Sequence, residues 1–249
     1  MINKFEIKSH NGPGRLGMLD NKITPRLFFK NDLKISPSEG SAYNVDKEIA
    51  KFNVDETLRL AKENVDICDV AVIQGSKYID LRIECLKELE NIGYNGFIIA
   101  NGDELLLHPR DLVDIIVNLK INAKANSYFI FSFAEASFMP LLTYMGIDGF
   151  LSESSNYYSY LNALITPTKT YDLNTYPIYE NITQKELEEK NIKSLEFVIK
   201  EIQTHIKNNS LRNLVEERSN TNPQNISTLK ILDKNYMDFL LEYSPPAGD

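Results

Sequence analysis

Between about residue 52 and residue 151 the chain alternates four times between a segment with helical spacing and a compact apolar run, and this repeat constrains the fold more than any other feature. "VDETLRLAKENV" precedes "DVAVIQ". "YIDLRIECLKELENIG", with Ile79, Ile83, Leu86 and Leu89 on one face and a stop at Gly93, precedes "GFIIANG". "PRDLVDIIVNLK", opened by Pro109, precedes "SYFIFSF", and "ASFMPLLTYMG" precedes "IDGFL". Antiparallel strands can be joined by a tight turn, whereas strands separated by helices run parallel with crossovers. The pattern predicts an α/β fold and argues against an all-β protein or a bundle.

The flanks read differently. "KFEIK", "GRLGML" and "TPRLFFKN" have the character of short strands, parted by the turn formers "HNGPG" and "DNK". Residues 31 to 48 are polar and rich in Ser, Gly, Asn and Pro, and read as a loop or as the remains of a lost element. Near the C-terminus, Ile192, Leu195, Ile199, Ile202 and Ile206 form one stripe of a long amphipathic helix, with Glu196 and Lys200 as a solvent-facing pair. "SLRNLVEERS" and "ISTLKILDKNYMDFLLEYS" read as further helices, and nothing in the tail "PPAGD" favours order.

A formal charge of −8 opposes the phosphate backbone, so any contact with RNA requires a local basic patch or a basic partner. "IKNNSLRNLVEER" concentrates Lys207, Arg212 and Arg218 near helix ends, and these are the candidate phosphate contacts. Cys68 and Cys85 form no CxxC pair and read as reduced core residues. The N-terminus lacks the apolar region of a signal peptide and no eighteen apolar residues run together, so the expectation is a cytoplasmic chain without a membrane span. His10, His108 and His205 lie far apart in sequence; His205 reads as solvated and His108 as part of the turn entering a helix at Pro109.

Several stretches, taken in order, resemble the tRNA-guanine transglycosylase superfamily. "FEIKSHNGPGRLGMLDNKITP" is similar to its N-terminal signature, and "AVIQGSKYIDLRIECLKELENIGYNGFII" to the block in which a strand ends in Val-Gln-Gly-Gly before an Asp-Leu-Arg helix start. "DELLLHPRDLVDIIVNLK", "LLTYMGIDGF" and "KNNSLRNLVEERSNTNPQNISTLKILDKNYMDFLLEYSPP" resemble the transglycosylase-like N-terminal module of archaeosine synthase. The resemblance implies a TIM-type (β/α)8-like barrel, complete or reduced, over residues 1–165. It also implies a helical C-terminal region over 166–249, corresponding to a degenerate zinc-binding segment.

The same resemblance places the reactive positions. The attacking aspartate of the family corresponds to Leu151, whose alkyl side chain cannot act as a nucleophile, and Asp148 matches the earlier, non-nucleophilic aspartate. A one-position slip would hand the role to Glu153 or Asp148. "SPSEGSAYN" lies where the family carries a second catalytic aspartate and lacks that motif. The family's zinc ligands correspond to Asn174, Tyr176, Tyr179 and Lys190, none of which replaces a thiolate or imidazole. No metal or other cofactor is expected, and an aromatic cluster of Tyr176 and Tyr179 is expected to hold the segment instead. Gln74, Gly75, Asn101 and Asp148 remain as a residual pocket.

The reading favoured by these positions is a pseudoenzyme subunit, non-catalytic or dependent on assembly, of an archaeosine-pathway tRNA-modifying complex. The complex would transfer lysine to the preQ0 base already in tRNA. A second subunit would carry the catalytic and PUA-type RNA-binding regions, as in a split archaeosine synthase. The alternatives are an independent TIM-barrel enzyme using Gln74, Asn101, Asp103, Glu135 and Glu153 for unrelated chemistry, and a purely structural interaction protein.

Overall fold

A computed structural model describes residues 5–179 and 181–243, so the tail "PPAGD" lies outside the described residues. Strands β1 (Phe5–Asn11), β2 (Gly14–Leu19) and β3 (Lys22–Thr24) form an antiparallel sheet. The predicted strand "TPRLFFKN" is divided between β3 and β4 (Arg26–Phe28), and β4 joins a different sheet. The expected helix–strand repeat follows as α1 (Lys47–Asn64), β5 (Ala71–Ile73), α2 (Ile79–Ile92), β6 (Gly96–Ile99), α4 (Pro109–Asn122), β7 (Tyr128–Phe131), α5 (Met139–Tyr144) and β8 (Gly149–Leu151), with a single-turn α3 (Gly102–Leu105) between β6 and α4.

Five parallel strands pair in the order β4-β8-β7-β6-β5. The protein is therefore a TIM-like α/β fold with five parallel strands. Among the described residues no ladder joins β4 to β5. The chain itself spans these two edges: it leaves β4 at Phe28, turns through residues 29–32, and makes an isolated parallel bridge from Ile35 to Val70 beside β5.

Alternation along the strands explains the two cores. Phe129 and Phe131 face the helices with Phe97, Ile99, Ile73 and Phe150. Tyr128, Ile130, Ile98, Val70 and Phe28 point to the other face, which Phe5 and Leu19 of the N-terminal sheet cover. Both faces are buried, which is why these strands read as continuous apolar runs rather than as alternating ones. Truncating a fully buried phenylalanine such as Phe129 to alanine costs about 3–5 kcal/mol.

After β8 come α6 (Glu153–Tyr160) and a hairpin of β9 (Ala163–Ile165) with β10 (Thr170–Asp172), three elements the sequence reading left unassigned. The long helix α7 (Gln184–Lys207) begins at a capping box between Thr183 and Glu186. It is followed by α8 (Leu211–Ser219), α9 (Pro223–Asn235) and α10 (Met237–Glu242). Leu195, Ile199, Ile202 and Ile206 are buried as expected, but Ile192 is only half-buried, and its polar neighbour Asn191 is buried. Asn191 accepts from Ile165 N at 2.7 Å and donates to Ala163 O at 3.0 Å, supplying β9 with partners that its short hairpin leaves open. Glu196 and Lys200 both face solvent.

Candidate functional site

The loops after β5 and β6 converge at the C-terminal end of the sheet. After Ile73 the backbone passes through Gln74, Gly75 at φ 136° and Ser76 at φ 51°. A Cβ on Gly75 would lie 2.8 Å from both Cγ and the backbone N of Arg82, so glycine is required there for space as well as for conformation. Arg82, the arginine of the Asp-Leu-Arg helix start, is fully buried. It donates to Ser76 O at 2.7 Å, to Ala100 O at 3.2 Å and to Asn101 Oδ1 at 3.2 Å. Burial pulls its pKa down to about 10, which still leaves it charged at neutral pH. It ties the two loops together through their carbonyls.

Residues 39–45 lie across this junction. Asn101 donates to Ser41 O at 2.8 Å, and Ser76 Oγ lies 2.8 Å from Ser41 Oγ and donates to Ala42 O at 3.0 Å. Tyr43 N donates to Glu104, the Tyr43 hydroxyl donates to Asp111, and its ring stacks on His108 at 4.7 Å. Tyr78 donates to Val45 O at 2.9 Å. Beneath this strap Gln74 is 3% exposed and its Oε1 has no hydrogen-bond partner among the described residues. Gln74, Gly75 and Asn101 are thus brought together, and the chain's own segment is fastened beside them through Ser76 and Asn101.

Asp148 is not with them. It precedes β8 and so stands at the N-terminal end of the sheet, the opposite end from Gln74 and Asn101. It is fully buried and bound by Arg15 through two bonds of 2.6 and 2.8 Å, and it accepts from Phe129 N at 2.9 Å. Arg15 completes the lock by donating to Ser127 O at 2.5 Å. The place of Asp148 in a residual pocket is corrected by this geometry: the side chain clamps the β1–β2 hairpin beneath the sheet. Nearby Lys120 lies over the Phe129 ring at 5.1 Å, and burial, reinforced by Arg15, pulls its pKa down to about 7.

Leu151 ends β8 at the C-terminal lip, opposite Phe28 of β4, and packs against the apolar cluster of the hairpin-covered face. Glu153, which begins α6, lines a cleft of about 560 Å³ with Phe29, Asp32, Ser152 and Glu188. The slip considered above would therefore place Glu153, and not Asp148, at this lip.

The positions corresponding to zinc ligands do not fit the metal. Asn174 accepts from Asn162 at 2.8 Å, Tyr176 packs edge-on to Tyr171 at 5.9 Å under Lys169, and Lys190 lies 4.7 Å over the Tyr179 ring. Tyr176 and Tyr179 are 50% and 39% exposed, so the expected shared aromatic cluster is replaced by two separate cation–π contacts. Lys207 is exposed at the end of α7, but Arg218 is 4% exposed and paired with Glu201 at 2.7 Å and with Glu217. Arg212 is held by Asp233 and Glu216 at 2.6 and 2.7 Å. The expected patch of three phosphate contacts is corrected accordingly: carboxylates already neutralise both guanidiniums, and Lys207 alone faces outward.

The sequence reading missed Arg15, Arg82 and the acceptor network of Glu135, which takes bonds from Tyr158 at 2.7 Å and Thr170 at 3.2 Å. Burial pushes the Glu135 carboxyl above its usual range. "GRLG" and "DLR" were visible as motif residues, but their partners lie on other elements.

A TIM-like sheet with a loop-bound C-terminal lip defines the class of protein. The chain belongs to the queuine tRNA-ribosyltransferase family, whose model matches residues 28–184, and this is a family of tRNA-modifying enzymes. It is similar to the tRNA-guanine(15) transglycosylase of Methanocaldococcus jannaschii, at 27% identity over 96% of this chain and 42% of that protein. It is also similar to those of Pyrococcus abyssi, at 29% over 80% of this chain and 38% of the relative, and of Nanoarchaeum equitans, at 23% over 92% and 61%. The chain thus spans between 38% and 61% of the length of these relatives. Among the described residues, no helix is long and apolar enough to cross a membrane.

Proposed function

We propose that the chain is a non-catalytic or assembly-dependent subunit of an archaeal tRNA-modifying enzyme of the archaeosine, 7-deazaguanine pathway, working in the cytoplasm. A second subunit carries the catalytic and PUA-type RNA-binding regions, and the complex transfers lysine to preQ0 in tRNA. Residues 1–165 supply the transglycosylase-like scaffold and 166–249 its helical appendage. Lys207 is the candidate phosphate contact of this chain.

The observation that carries this reading is the lip itself: Leu151 stands at the end of β8, and the strap of residues 39–45 is bound to Ser76 and Asn101 in the loops after β5 and β6. An alkyl group offers no lone pair for a ribosyl-enzyme bond, so the chain has a transglycosylase scaffold without its attacking group. Similarity to relatives that are tRNA-guanine(15) transglycosylases supports tRNA as the substrate of the assembly.

The test is to purify the chain alone and in the complex recovered from its native source, and to assay both on preQ0-containing tRNA. Modification by the complex only, with neither guanine exchange nor a covalent RNA adduct on the isolated chain, is the expected result. Guanine exchange by the isolated chain that is lost on Glu153→Ala would overturn it.

A further inference from the structure

Beyond the sheet's lip, the loops after β6 and β7, the helix α6 and the start of α9 line an open cavity of about 400 Å³ with no basic side chain among the described residues. Phe133, Tyr157 and Tyr158 form its aromatic wall, with ring centroids 5.6 to 5.9 Å apart and planes 60° to 75° to one another. Asp103 and Glu104 supply carboxylates at the mouth, and one oxygen of Glu104 also accepts from Tyr43 N and Asn101. Glu135 lies at the back, 9% exposed, holding the Tyr158 hydroxyl at 2.7 Å. Asp103 is exposed at the opening.

Three mutually tilted rings beside carboxylates make a surface that attracts a cation twice over, through the ring quadrupoles and through charge. Among the described residues, no Lys, Arg or His enters it. Asp148 and Asp233, by contrast, are already paired with Arg15 and Arg212. Around the opening the surface is apolar and exposed: Leu107 is 67%, Tyr157 53%, Tyr160 75% and Leu161 45% accessible. A small amine would leave that rim in water. A protein chain that inserts one basic side chain would cover it.

We propose that this cavity is a docking site for a protein partner, which lays a lysine or arginine side chain against the exposed surface of the Phe133–Tyr157 ring cluster and apolar residues on the surrounding rim. The proposal rests on the reading of the chain as a subunit and identifies the face that subunit association uses. The ammonium or guanidinium meets Asp103 and Glu104 at the mouth, and its methylene stem lies along Phe133 and Tyr157. The overall charge of −8 assists approach of such a partner.

The probe is the capped pentapeptide acetyl-Gly-Leu-Lys-Leu-Gly-amide, titrated into the full chain with the Tyr157 and Tyr158 ring resonances followed by NMR. Saturable shifts are expected, weaker by at least tenfold for the norleucine peptide and for the Asp103→Asn and Tyr157→Ala variants. Both variant positions are solvent-exposed, and retained amide spectra verify the fold. Equal binding of the norleucine peptide, absence of shifts, or binding of n-butylammonium as tight as that of the peptide would each overturn the proposal, the last by making this a small-amine site. In the native complex, Tyr157→Ala combined with Asp103→Asn should shorten the lifetime at least tenfold. A complex indifferent to both changes refutes the docking face and leaves the subunit reading standing. If no complex forms with the unaltered chain, the subunit reading and the docking proposal that rests on it both fall.

Discussion

The two ends of the parallel sheet satisfy their polar groups by different means. At the N-terminal end a carboxylate and a guanidinium from distant parts of the chain, Asp148 and Arg15, bind each other in a buried pair and cap backbone groups of the neighbouring strand. At the C-terminal end the side chains of Ser76 and Asn101 bind mostly neutral backbone atoms of residues 39–45. Removing one member of a buried ion pair strands a charge in a medium that solvates it poorly, whereas breaking bonds to a surface strap lets water replace the lost partner. The first end is a structural lock, and the second is a strapped mouth that can open without unfolding the sheet.

The largest expected effect breaks the lock. Asp148→Ala should destabilise the protein by about 3–5 kcal/mol in urea unfolding, because Arg15 stays buried without its partner. Arg15→Met, which removes the other charge, leaves Asp148 with Phe129 N and should cost a similar amount; a loss under about 1 kcal/mol in both would erase the contrast between the ends. At the mouth, Tyr43→Ala removes the ring stacked on His108 and the hydroxyl bound to Asp111, and should cost about 2 kcal/mol. Amide exchange should quicken across 39–45 while β7 and β8 stay protected. Uniform acceleration throughout the sheet would show that the strap is part of the lock.

A pH titration sharpens the contrast further. Lys120 has its pKa pulled down to about 7 in the folded protein against 10.5 when unfolded. The unfolded chain therefore binds more protons between those values, so stability should rise with pH from about 7 towards 10. Below pH 7 both states are protonated and this contribution is flat. Urea midpoints should show the rise, and Lys120→Met should abolish it. The smallest effect belongs to the region corresponding to the zinc segment. Lys190→Ala should change stability by less than about 1 kcal/mol, since the Tyr179 contact is exposed. A chelator should leave the melting temperature unchanged.

The crossover pattern was legible because it is written in local periodicity: α2, α4, α5 and α7 and strands β5 to β8 fall where the apolar spacing placed them, while α1 starts at Lys47, earlier than the spacing placed it and inside the stretch read as a loop. Gly93 ends α2 at φ 124°, as a stop signal read from sequence alone implies. What was not legible depends on contacts across the fold. Asp148 looked like a strand-end residue of a pocket because sequence shows neither Arg15 nor the end of the strand on which it sits. Arg212 and Arg218 looked basic because their partners Asp233 and Glu201 are a turn of the fold away. The helix α6, "ESSNYYSY", has weak apolar spacing and was passed over, so two of the rings of the cation-accepting wall went unread.

The pairing of β4 has a consequence for how the chain comes to be folded. Among the described residues β4 hydrogen-bonds to β8 alone, so everything from residue 29 to residue 148 must be synthesised before it finds this partner. The units from α1 to β7 can associate as neighbours in order of emergence, while the N-terminal hairpin waits with Phe5, Leu19 and Phe28 unburied. Closing so long a loop carries an entropic cost that local units do not face. The N-terminal thirty residues should thus acquire protection later than the units from α1 to β7, although they are made first.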